Sequence, residues 1–505
     1  MDTSARRSST EPLSTGSEWT FELIADYDAA LAAAAKTFEL DTFPTQFEVI
    51  NSEQMMDAYS SAGMPVGYNH WSYGKQFMAT EDRYKRGQMG LAYEIVINSD
   101  PCIAYLMEEN TMMMQALVMA HAAYGHNSFF KGNYLFQTWT SPDAIVDYLV
   151  FARTFIEQCE RRHGPSEVEL VLDSAHALMN FGVDSYKRPA PLSAASEQSR
   201  QLQREAYLQS QVNELWRTLP GGDSSGVGEG GPPVFPAEPQ ENLLYFIEKN
   251  APLLESWQRE VIRIVRKLAQ YFYPQRQTQV MNEGWACFWH YTLLNHLYDQ
   301  GLTTDGFMLE FLQSHTNVIA QPAYDSPSYS GVNPYALGFA MMSDLRRICE
   351  TPTDEDREWF PDLAGTSWLV TLDFAMRNYK DESFIRQYLS PRLIRQFKFF
   401  NVVDDEREET LEVNAIHDEQ GYRSVRRALA HQYEMSSIEP NIQVAQVDVR
   451  GGRALTLRHC QHDGVCLHED ADEVLRHAAR LWGFTVRLES VDANGLVLNT
   501  RECVI

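Results

Sequence analysis

The sequence predicts an α+β protein: a large, mainly helical body followed by a small C-terminal β-α-β-β-α-β domain. Two patterns and one interruption carry that expectation. Between about residues 110 and 395, apolar residues recur at helical spacing. From Asn401 onward, segments such as NIQVAQVDV and FTVRLES alternate like half-buried strands. Between the helical stretches, LPGGDSSGVGEGGPPVFPAEP breaks every periodicity and reads as a linker or loop.

Taken in order, residues 1–17 are polar and expected to be disordered. Residues 18–218 form the helix-rich first part of the body. AYEIVINS reads as a strand ending at Pro101, and a helix is expected from Asn110 to Tyr124, stopped by Gly125. A further helical block runs from Pro142 to Arg162. Ser166 with Glu169 reads as a capping box opening a helix to about Asn180. Ala190 to Arg217 looks helical, and residues 219–240 are the Gly/Pro-rich linker. Residues 241–400 continue the body. Here Pro252 lies near the start of one helix, Pro274 is expected to end it, and the next spans about Met281 to Asp299 before Gly301. Residues 401–505 form the small domain, its strands TLEVNAI, NIQVAQVDV, ALTLRHC and FTVRLES interleaved with helices RSVRRALAHQY and DADEVLRHAARLW.

The composition narrows the function. At 505 residues with 44% hydrophobic and 22% charged side chains, the chain is globular and long enough for two or three domains. Forty-two Lys and Arg against 69 Asp and Glu give a net charge of −27, which argues against nucleic acid or an anionic membrane as partner. The greasiest stretch, Met112 to Tyr124, is too short for a bilayer and is broken by Gln115 and His121, so no membrane insertion is expected. No apolar stretch follows Arg6 and Arg7, so no secretory signal is read. Seven scattered cysteines suit a reducing cytoplasm.

Four segments could carry chemistry. In MAHAAYGHN, His121 and His126 stand as H-x4-H. His121 shares an apolar stripe with Met114, Leu117 and Val118, and an ideal helix would point His126 about 140° away from it. A left-handed Gly125 would swing it back. Two imidazoles from one segment suit a metal; otherwise they are a core histidine and a helix-end histidine. In MNEGWACFWHYTLLNH, Glu283 and His290 are two helical turns apart among Trp285, Phe288 and Trp289. A carboxylate in such surroundings needs a cation, and Glu283 with the two histidines would make the three-ligand set of a catalytic zinc. The alternative is an exposed glutamate on a polar helix face.

In SEVELVLDSAHALMN, Asp173 and His176 are spaced like half of a carboxylate-bridged dimetal site, or simply form a solvated stripe with Glu169 and Asn180. HCQHDGVCLH, with His459, Cys460, His462, Cys466 and His468, has no standard zinc spacing and reads better as a hairpin turning at Asp463-Gly464. In SPSYSGVNPYALG, Tyr329, Asn333 and Tyr335 could line a cleft or merely make a turn.

A histidine motif ending in Gly-His, followed far downstream by Asn-Glu-Gly-Trp-Ala, resembles gluzincin-type metallopeptidases, so the body is expected to hold zincin-like elements. The resemblance implies His121, His126 and Glu283 as metal ligands. It departs at Ala122, where those enzymes carry their catalytic glutamate. More extensively, the segments YLMEENTMMMQALVMAHAAYGHNSFFKGNY, LDSAHALMNFGVDSYKRP, NEGWACFWHYTLLNHLYDQGL, NPYALGFAMM and RQFKFFNV resemble the SpoVR family (stage V sporulation protein R). That resemblance covers the chain from about residue 17 and implies a cytoplasmic protein tied to spore cortex formation. In bacteria that form no spores it implies a stress or stationary-phase role and a functional link to a PrkA-type serine kinase.

The expectation is therefore a metal-dependent, zincin-like hydrolase lacking the usual glutamate. Zinc is the metal, iron the weaker alternative. His290 is a fourth or supporting ligand, Tyr335 a weak candidate for an electrophilic partner, and the substrate peptide-like or cell-wall-related. Two alternatives stand beside it. One is a regulatory or scaffolding protein with a structural metal or none. The other is an oxidase-like dimetal site built from Asp173, His176, Glu283 and His290.

Overall fold

Along its length the chain alternates between two units, Met1–Thr138 with Phe272–Ile438 and Trp139–Tyr271 with Glu439–Ile505. The computed structural model describes residues 11–60, 67–68, 70, 78, 94–185, 235–236, 238–323, 326–327, 329–399, 401–403, 412–414, 418–449, 451–461 and 466–504. The segments expected as a helix at 190–217 and, for the most part, as a linker at 219–240 lie outside these residues, as do His462 and the Asp463-Gly464 turn.

In the first unit, Thr20 accepts the Leu23 N–H and opens helix α1 (Phe21–Thr37), whose Tyr27 and Leu31 are buried. Strands β1 (Thr45–Ile50), β2 (Glu94–Ile97) and β3 (Cys102–Met107) form a small sheet with β3 central, parallel to β1 and antiparallel to β2. Thr111 caps α2 (Met112–Met119), which runs without a break into a π-helical segment, Ala120–His126, and then α3 (Asn127–Gly132). The helix therefore does not stop at Gly125.

The second unit begins with α4 (Ile145–His163) and α5 (Pro165–Ala177). No side chain caps α5. Its N-cap is Gly164 and Pro165 takes the first helical position, leaving Ser166 inside the first turn, so the capping-box expectation fails. Next come α6 (Leu243–Asn250) and α7 (Ser256–Gln277). Helix α7 passes through Pro274 and ends at Gln277, where the Thr278 hydroxyl donates to the Pro274 carbonyl at 2.8 Å and satisfies an acceptor of the last turn. Glu248 of α6 lies buried among Lys249, Arg263 and Arg266.

The first unit resumes at Phe272, within α7, and continues with α8 (Gln279–Asp299), α9 (Asp305–Val318), α10 (Pro334–Glu350) and α11 (Asp381–Tyr388). Helix α8 is buried nearly all round, with Trp285, Phe288, Trp289 and Leu293 in the main apolar core. Two glycine contacts set its neighbours. A Cβ on Gly284 would stand 2.3 Å from the Gly338 backbone, and one on Gly125 would stand 2.6 Å from Ala286 Cα. Helix α8 thus meets α10 on one side and the π-segment on the other at backbone contact distance. Buried Asp381 accepts the Val280 and Met281 N–H groups at 2.9 and 2.8 Å, satisfying donors at the start of α8.

The C-terminal part of the second unit is a four-stranded sheet of β4 (Asn441–Val447), β5 (Leu455–Cys460), β6 (Val486–Val491) and β7 (Val497–Cys503) in that spatial order. Helix α12 (Ala471–Trp482) crosses between the parallel pair β5 and β6. The α+β class holds, but this sheet runs β-β-α-β-β. The expected first strand pairs instead as Glu412–Asn414 with Asn401–Val403, and the helix after it, Glu419–His431, belongs to the first unit. Strand β7 supplies the fourth strand. Strand β5 is followed in sequence by α12, and the turn expected at Asp463-Gly464 between them lies outside the described residues. Among the described residues no helix is long and apolar enough to cross a membrane.

Candidate metal centre

The π-segment brings the two histidines together. Its i→i+5 turn stacks residues five apart, so His121 and His126 lie over one another with ring centroids 4.6 Å apart. The reversal expected at Gly125 does not occur, since Gly125 is not among the positive-φ glycines. A wider helical turn does the same work, and Gly125 serves the close approach to Ala286 instead.

Across from this pair, Glu283 Oε2 on α8 stands 3.4 Å from His126 Nε2 and 3.8 Å from His121 Nε2. The oxygen is buried and makes no hydrogen bond among the described residues. Both separations exceed the usual hydrogen-bond range of about 2.7–3.2 Å. They lie close to the spacing of neighbouring ligands on a tetrahedral zinc, about 3.3 Å when each is about 2.0–2.1 Å from the ion. Ligand atoms of His121, His126 and Glu283 all fall within 4.8 Å of one another.

Neighbouring groups fix the imidazoles. His126 Nδ1 lies 2.9 Å from Asn282 Oδ1, an acceptor that orients the ring with Nε2 toward the Glu283 oxygen. A buried carboxylate oxygen held beside two imidazole nitrogens, without a hydrogen bond among the described residues, suits a cation between them. His121 Nδ1 lies 2.8 Å from His290 Nδ1, and His290 Nε2 lies 2.7 Å from His315 Nδ1 of α9. Burial pushes the His290 imidazole well below its usual range, with neighbouring His121, His315 and His126 adding to the effect. Burial, then His121, lowers His315 to about 4. His290 and His315 are therefore neutral at physiological pH.

His290 thus stands behind His121. Cys287 joins a second group with His121 and His290 whose ligand atoms also fall within 4.8 Å. The 2.8 Å contact between His121 and His290 fits a hydrogen bond better than two ligands of one ion. His315 meets Tyr291 and Phe339 at centroid distances of 5.0 and 4.7 Å. Phe339 also lines a cavity of about 870 Å³ whose wall includes Tyr329, Leu393 and Phe397, with exposed Arg392 and Lys398.

The remaining candidates lie elsewhere. Asp173 and His176, on α5 of the second unit, belong to neither ligand group. Tyr335 is half-buried in the first turn of α10, where its N–H donates to Asn333 Oδ1. His459 is buried beside Ser490, whereas Cys466 and His468 are exposed. Ala122 is buried directly after His121.

Asn282, Cys287 and His315 escaped the sequence reading. Asn282 and Cys287 sit inside the motif already singled out, within four residues of Glu283. His315 carried no local signal, because only the packing of α9 on α8 brings it to His290.

Comparison with known proteins bears on the whole chain. The family described as SpoVR like protein matches residues 18–438, and the SpoVR-like C-terminal domain matches residues 440–493. The chain is 63% identical over 495 residues to YcgB of Escherichia coli (strain K12), described as an uncharacterized protein, covering 98% of this chain and 97% of the relative. No solved structure matches. With family matches and a close relative that together span nearly its whole length, the chain belongs to the SpoVR family.

Proposed function

We propose that this chain is a metalloprotein whose centre is held by His121 Nε2, His126 Nε2 and Glu283 Oε2, and that it acts as a zincin-like hydrolase in the cytoplasm during sporulation or stationary-phase stress. The observation that carries the metal is the buried Glu283 oxygen. It faces two imidazole nitrogens at 3.4 and 3.8 Å with no hydrogen bond to satisfy it among the described residues. A divalent ion there, zinc before iron for an N2O ligand set, would supply a Lewis acid. Asn282 orients His126, His290 orients His121, and the tryptophan-rich face of α8 keeps the surroundings dry. A peptide-like or cell-wall-related substrate and a link to a PrkA-type kinase complete this reading.

The buried methyl of Ala122 favours a second reading, in which the ion organises a regulatory protein without hydrolysis. Both readings require the ion. Elemental mass spectrometry on untagged protein should find about one metal per chain. Glu283→Ala should lose it; full metal content in that variant would refute the ligand set.

A further inference from the structure

His121, His290 and His315 form a line of three buried rings joined by contacts of 2.8 and 2.7 Å. Each contact needs one nitrogen with a hydrogen and one with a lone pair, so neutral rings can satisfy the line in two directions. With an ion on His121 Nε2, that nitrogen must present its lone pair. His121 Nδ1–H then donates to His290 Nδ1, His290 Nε2–H donates to His315 Nδ1, and the last hydrogen resides on His315 Nε2. Without the ion, His121 Nε2 faces the Glu283 oxygen at 3.8 Å, where a hydrogen is favoured over a lone pair. Every donor then reverses, leaving His315 Nε2 with a lone pair.

At that far end the two states are closely matched. His315 Nε2 is buried and has no hydrogen-bond partner among the described residues, so neither direction gains a bond there.

We propose that metal binding at His121, His126 and Glu283 reverses the hydrogen-bond direction of the His121–His290–His315 line, so that occupancy of the centre is registered as a tautomer change at His315. The inference rests on the metal reading above. The protons balance. One leaves His121 Nε2 to solvent, one passes from His290 Nδ1 to His121 Nδ1, one passes from His315 Nδ1 to His290 Nε2, and one from solvent joins His315 Nε2. No ring changes net charge. The signal ends on a ring packed against Phe339, part of the cavity wall, so the line joins the centre to a ligand-sized space without moving a helix.

The test uses the full chain labelled with ¹⁵N-histidine, stripped with chelator and then loaded with one equivalent of zinc. His315 is assigned by comparison with His315→Gln. Nitrogen chemical shifts separate lone-pair from N–H nitrogens, and chelator competition measures zinc affinity in parallel. Zinc should convert His315 Nε2 from a lone-pair to an N–H nitrogen. Zinc uptake with an unchanged His315 tautomer overturns the inference while leaving the metal reading intact; absence of uptake overturns both. In His290→Gln, zinc should still bind, about 10–100-fold more weakly, and His315 should stop responding. A persisting response would overturn the line as its carrier.

Discussion

Replacing Gly284 by alanine would test how tightly the backbone around α8 controls the candidate metal centre. The added Cβ would stand 2.3 Å from the carbonyl carbon and Cα of Gly338 and 2.8 Å from its oxygen. That is more than 1 Å short of the ~3.5 Å at which carbon atoms make favourable contact. No side chain can rotate away, because every atom met is backbone. Helix α8 cannot retreat either, since on its other side Gly125 already sits against Ala286. Overpacking that side chains can absorb costs about 1–3 kcal/mol, so a backbone clash belongs at the upper end, about 3 kcal/mol. For a unit of about 300 residues, unfolding entropy near 2.1 cal/mol/K per residue converts this to a melting shift of about 5 °C. Glu283 adjoins the clash, so on the proposed ligand set metal affinity should fall by about 10–100-fold, as when a group supporting a ligand is lost. Calorimetry and chelator competition read the two effects. Gly306→Ala is the control: its Cβ would meet only Thr304 Oγ1, at 3.8 Å, and it should be neutral or slightly stabilising. A Gly284→Ala protein that melts within about 1 °C of the parent and binds zinc equally well would refute the close-approach argument.

Two further outcomes follow from the same distances and charges. Cys287→Ser should keep one metal per chain with little loss of affinity, because the 2.8 Å contact between His121 and His290 leaves no room for an ion between them; loss of metal would make the thiolate a ligand. In the second unit, burial pushes the Glu248 carboxyl up, but Arg266, Lys249 and Arg263 outweigh it and hold it at about 2 instead of 4.5. A depressed carboxylate contributes stability that is fully present above 4.5 and lost as pH falls toward 2. Denaturant melts should therefore lose about 3 kcal/mol across that window, and Glu248→Gln should abolish the slope assigned to this group. An unchanged slope in the variant would refute the assignment.

What the sequence made legible was the part written in residue type and local spacing. His121, His126 and Glu283 stand out because imidazoles and a carboxylate sit in apolar text, and the structure brings all three within ligand distance. The switch from helical to alternating patterning near Asn401 announced the α+β class. What stayed hidden depends on hydrogen bonds between turns or on distant segments. Spacing on an ideal α-helix sends His126 away from His121, and nothing in AHAAYGH marks a π-turn. Pro274 reads as a stop because a missing N–H is visible in sequence, yet the helix carries on for three more residues to Gln277. The C-terminal strand order was misread because Glu412–Asn414 alternates as convincingly as its neighbours, yet pairs with Asn401–Val403. His315 is the sharpest case. Twenty-five residues from His290 and flanked by ordinary helix, it acquires a role only when α9 packs against α8. The two glycines that bring backbones together show the opposite. Gly125 and Gly284 lie within the histidine and NEGWA motifs, so these segments specify the scaffold that holds the candidate ligands as well as those residues themselves. A motif hunt that credits only ligating side chains therefore misses half of what such a motif encodes.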